Sequence, residues 1–114
     1  MVIRRVLEEL EARLEPASQA VSHGASKGKL EFKRYGGGRQ RMKIKCKGLD
    51  LPEGADLQLL CGATVIAVLE ARKGRAEIDE EHDGAADAPP LAAGDVVTLC
   101  HQGLPVLSGQ LYVD

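Results

Sequence analysis

The stretch 27–47, KGKLEFKRYGGGRQRMKIKCK, most constrains what this chain can fold into. Two arms flank Gly36-Gly37-Gly38, and the second alternates strictly. Met42, Ile44 and Cys46 point one way; Arg41, Lys43, Lys45 and Lys47 point the other. A period of two with one apolar face marks a half-buried strand, because successive side chains leave opposite faces of the pleat. The stretch therefore predicts a hairpin, and the residues after it read as further strands packing on its apolar side.

Downstream, 57–61 alternates Leu57, Leu59 and Cys61 on one side. The run 64–71, TVIAVLEA, is β-branched and apolar on both faces, which predicts a central strand covered on both sides. Residues 72–75 form a hairpin turn, and Ala76 and Ile78 alternate with Glu77 and Asp79. The acidic, Pro- and Ala-rich run 80–94 reads as loop, and 95–101 with 106–113 as a last hairpin. Turn signals every eight to twelve residues imply a mainly β fold: a small antiparallel seven-stranded β-sandwich, with a partly open small β-barrel as the alternative. Leu51-x-x-Gly54 with Cys61, and Leu91-x-x-Gly94 with Cys100, echo each other as two similar turn-into-strand segments.

The start of the chain reads differently. Ile3, Leu7, Leu10 and Leu14 recur at helical spacing, with Arg4–Glu8, Arg5–Glu9 and Glu9–Arg13 four apart. An N-terminal amphipathic helix is expected over 1–16, ended by Pro16, then a flexible linker over 17–28 and the β-domain over 29–114. That apolar stripe must be covered, by the sheet or by a second copy.

The net charge of −2 hides a polarity. Nine of the fifteen Lys and Arg fall in 27–47, against one acid, while 48–114 holds twelve Asp and Glu against three bases. Either basic and acidic strands neighbour each other and compensate, or the basic hairpin meets an anionic partner. On the second reading Lys33, Arg34, Tyr35, Arg39, Arg41 and Lys43 make a stacking platform in a positive field for nucleic acid. The sequence pI of about 5.9 argues against this, as does Phe32, which shares a face with Leu30 and is expected in the core.

Catalysis finds little support. Cys46, Cys61, Cys100, His82 and His101 supply residue types but no nucleophile motif, and Cys100 and His101, adjacent on a strand, point to opposite faces. The three cysteines are read as buried, reduced small hydrophobes, and no paired spacing suggests zinc. No enzyme is expected. Asp79, Glu81, Asp83 and Gly84, with Asp87, have the alternate carboxylates and turn glycine of a calcium loop. Pro90 stands where the bidentate Glu should be, so the alternatives are a weak calcium-binding loop and an acidic solvated surface; no other cofactor is implied. No signal peptide or membrane span is read, and a cytoplasmic location is expected. The sequence thus points to a non-catalytic protein–protein interaction module, a homo-oligomer joined through the N-terminal helix or a sheet edge. A nucleic-acid binder using 27–47 comes second, and a weak calcium-binding β-domain third.

Overall fold

A computed structural model describes residues 6–16, 26–36, 38–82 and 91–114. The strands are β1 (Val6–Pro16), β2 (Lys27–Tyr35), β3 (Gln40–Lys47), β4 (Asp56–Cys61), β5 (Thr64–Glu70), β6 (Ala76–His82), β7 (Val96–His101), β8 (Leu104–Gln110) and β9 (Tyr112–Val113). All pairings are antiparallel and join into one sheet, in the order β5-β4-β7-β8-β1-β2-β3-β6, with β9 also on β1. The two end strands, β5 and β6, are not hydrogen-bonded neighbours but are joined by the turn at 72–75, closed by the bridge Arg72↔Arg75, and they come together so that the sheet is a nearly closed barrel. The expected two-sheet sandwich is therefore replaced by the barrel alternative, with nine strands among the described residues rather than seven.

The N-terminal helix is corrected too. Residues 6–16 are a strand lying between β2 and β8, and no helix occurs among the described residues. Leu10, Ala12 and Leu14 face the core while Glu9, Arg13 and Glu15 face out, a period of two that the four-residue Leu10–Leu14 spacing had masked. Pairing on both sides satisfies the backbone of β1 and overrides its helix-forming composition. Of the expected stripe, Leu10 and Leu14 are barrel core, Leu7 lies in β1, and Ile3 falls outside the described residues. Of the linker expected over 17–28, Lys27 and Gly28 belong to β2, and 17–25 fall outside the described residues.

Inward residues fill the barrel: Leu30 and Phe32 from β2, Met42 and Ile44 from β3, Leu57 and Leu59 from β4, Val97 and Leu99 from β7, and Leu107 from β8, all fully buried. A small barrel has just enough interior for such side chains.

Two hairpins repeat one construction at an interval of 40 residues. Gly54 N donates to Ala71 O and Ala71 N to Ala55 O; Gly94 N donates to Leu111 O and Leu111 N to Asp95 O. In β4–β5 the register jumps from Leu59↔Ala67 to Leu60↔Val65, leaving Ile66 as the extra residue of a bulge. In β7–β8 it jumps from Leu99↔Leu107 to Cys100↔Pro105, leaving Val106. A bulge turns two consecutive side chains the same way, so Ile66 packs on the core beside buried Ala67, and Val106 beside Leu107. β5 is not buried on both faces as expected, because only one face of a barrel wall meets the core. It is an end strand, with Val65 47% and Val68 59% exposed. The hairpins join through β4–β7, where Gln58↔Cys100, Leu59↔Leu99 and Leu60↔Thr98 are symmetric about Leu59 and Leu99.

Candidate functional site

The outer face of β1, β2, β3 and β6 carries nearly all the charge that the sequence sets apart. Ladder register arranges it in rows: Glu9, Lys33, Arg41, Glu81; then Glu11, Glu31, Lys43, Asp79; then Arg13, Lys29, Lys45, Glu77. Basic β3 thus lies beside acidic β6, and β2 beside a largely acidic β1.

The side chains use this neighbourhood. Arg41 donates to both carboxylate oxygens of Asp79, at 2.9 and 2.7 Å, and this fork holds the Asp79 carboxyl below the usual carboxylate range. Lys33 pairs with Glu9 at 3.6 Å, and Lys29 with Glu11 and Glu31 at 3.1 Å each. At Glu11 burial works against the charge, but the hydrogen bond and attraction of Lys29 outweigh it and hold that carboxyl low as well. Such cross-strand partners bring little stability each when exposed, but they occupy the cations.

The residues expected to meet nucleic acid do not form one free platform. Arg34 turns toward the barrel mouth, where its guanidinium lies 5.3 Å from the centre of the Phe32 ring, donates to Leu91 O at 2.8 Å and pairs with Glu8 at 3.3 Å. Phe32 is core, as read from its alternation. Tyr35 is half-buried, and its amide donates to Arg39 O at 2.8 Å across the glycine turn. Lys43 stands between Glu31 and Asp79 in its row.

The calcium residues are split. Asp79 and Glu81 lie on β6, which extends to His82 where loop had been expected, and Asp79 is engaged by Arg41. Asp83, Gly84 and Asp87 fall outside the described residues. Among the described residues no three His, Cys, Asp or Glu converge as metal ligands would.

Cys46 and Cys100 are buried and Cys61 half-buried, all three as free thiols. Burial pushes the Cys46 thiol up to about 12, far from the reactive thiolate range. Cys61 is raised by burial and by the carboxylate of Asp95, whose Oδ2 accepts from its Sγ at 3.7 Å. His101 Nδ1 lies 3.0 Å from Asp56 O, a contact to backbone. Among the described residues no helix is long and apolar enough to cross a membrane.

Two places were not singled out by sequence reasoning. One is the exposed edge of β5; its signal was the β-branched run itself, read as buried. The other is the far end of the hairpin, where Lys27↔Lys47 and Lys29↔Lys45 face each other. Compared with models of known protein families and with curated proteins, the chain matches none.

Proposed function

We propose that this chain is a non-catalytic protein–protein interaction module that self-associates through the free edge of β5. The observation that supports it is an end strand of sequence TVIAVLE whose outer edge pairs with no other described strand and whose Val65 and Val68 are about half exposed. Such an edge presents unpaired N–H and C=O groups and invites strand addition. Charge favours a second β5 as the occupant. β5 holds one charged residue, Glu70 at its end, so an antiparallel copy places Glu70 near Thr64. The opposite edge, β6, carries Glu77, Asp79, Glu80 and Glu81, so two such strands repel each other. Antiparallel β5–β5 pairing is isologous and closes as a dimer. The helix route to self-association is dropped, since its residues are strand and core.

The test is solution mass by light scattering at tens of micromolar, for the native chain and for Val65→Lys/Val68→Lys. The native chain is expected at twice its 12.2 kDa and the variant at 12.2 kDa. Equal masses for the two proteins would count against the proposal.

A further inference from the structure

We infer that the outer groove at the open end of the β2–β3 hairpin, away from its glycine turn, binds a compact oligophosphate anion. This site is separate from the β5 edge and does not depend on self-association. A cavity of about 410 Å³ lies there, lined by Lys27, Lys29, Lys45, Lys47, Arg75 and Glu77, with Gly28 and Cys46 between them. That is the scale of a small-molecule site.

The register makes the charge accumulate. Lys27 stands opposite Lys47 and Lys29 opposite Lys45, and the turn into β6 brings Arg75 alongside. Like charges directly opposite on a sheet are destabilising, and in the row nearer the glycine turn that conflict is relieved. Lys33 and Arg41 also oppose each other, but Glu9 takes the first and Asp79 the second. The relief stops at the groove for a structural reason. The β1–β2 ladder ends at Leu14↔Gly28, and Glu15 then pairs along β8 with Ser108, so no acid of β1 stands in register with Lys27. Residues 17–25, leading into β2, contain no Asp or Glu.

Lys29 is neutralised by Glu11 and Glu31, and Lys45 feels Asp79 only at a distance. Lys27, Lys45, Lys47 and Arg75 make no ion pair with another described residue, and one carboxylate, Glu77, shares their groove. An anion carrying several charges in a small volume matches this excess. Lysine ammoniums bind phosphate as point charges without the planar fit that carboxylates draw from arginine.

The probe is sodium tripolyphosphate, added to the native chain, to Lys27→Glu/Lys47→Glu, and to Lys33→Glu as a charge control. Native protein should melt higher with the probe by mass action, less so as salt rises. Its amide resonances at Gly28, Lys45, Lys47 and Arg75 should shift together. The double variant should bind about tenfold or more weakly. Lys33→Glu should bind as native does. No shift in the native chain, equal binding by the double variant, or an equal effect of citrate at matched ionic strength would each overturn the assignment.

Discussion

Leu59 and Leu99 are direct cross-strand partners at the β4–β7 seam and occupy the same position in two hairpins that repeat at an interval of 40 residues. Both are fully buried, and each starts a register jump that ends in a bulge on its partner strand. The seam is a pseudo-twofold contact inside one chain.

Leu59→Ala and Leu99→Ala should each cost about 2–5 kcal/mol, the range for removing a buried leucine. Because the two side chains are partners, the double variant should depart from the sum by about 0.5 kcal/mol or more. Gln58→Ala, exposed on the same strand, should stay within about 0.5 kcal/mol of native. Urea denaturation of the four variants measures this. Additive effects would deny the contact.

Gly109 lies where β8 meets β1, and a methyl group there would collide with the carbonyl of Arg13. Gly28 is similarly placed, with Cys46 Sγ at 2.8 Å from where its Cβ would lie. Gly109→Ala and Gly28→Ala should each destabilise by about 1–3 kcal/mol through overpacking. The Gly109 variant should also loosen β1, seen as faster hydrogen exchange at Glu15 and Pro16's neighbours in β8. A native-like melting curve for both would contradict the close approach of the strands.

Much of this was legible in the residues and some was not. The hairpin at 27–47, its inward Leu30, Phe32, Met42 and Ile44 and the compensation between basic and acidic strands followed from period two and charge position. β1 was misread because Leu10 and Leu14 satisfy both periods, and only the presence of partners on both sides decides between them. The bulges at Ile66 and Val106 were invisible, since an extra inward residue looks like a strand apolar on both faces. The 40-residue echo is visible but aligns Cys61 with Cys100; in the two hairpins the equivalent positions are Leu60 and Cys100, then Cys61 and His101. The lysine groove was missed because charge was counted along the hairpin, and its excess exists only across the rows.

Acid should weaken the fold through its ion pairs. The carboxyls of Asp79 and Glu11 titrate below the usual carboxylate range in the folded state, so they contribute stability above that range and lose it as pH falls through their folded values. Asp114 has the opposite sign: repulsion from Glu11 raises it, so its protonation relieves a strain as pH falls. The net expectation is a falling melting temperature below about pH 4. Arg41→Ala should flatten that fall, because Asp79 then loses the hydrogen bonds that are the main cause of its low value, with only Lys43 and Lys45 left to hold it down. An unchanged slope in Arg41→Ala would remove the Arg41–Asp79 pair from the account.

The thiols should react in order of access. Cys61 is half-buried, Cys100 buried near the surface, and Cys46 buried with its thiol pushed up to about 12. An alkylating reagent near neutral pH should modify Cys61 first and Cys46 only on unfolding. Peptide mass mapping over time reads this order; early labelling of Cys46 would place β3 wrongly.

Hydrogen exchange at β5, compared between micromolar and near-millimolar protein, tests the central claim most directly. If β5 pairs with a second copy, the amides of Thr64–Glu70 that do not point at β4 are protected at high concentration and exchange freely on dilution. Those of β6 stay unchanged. Identical exchange along β5 at both concentrations would contradict self-association through this edge.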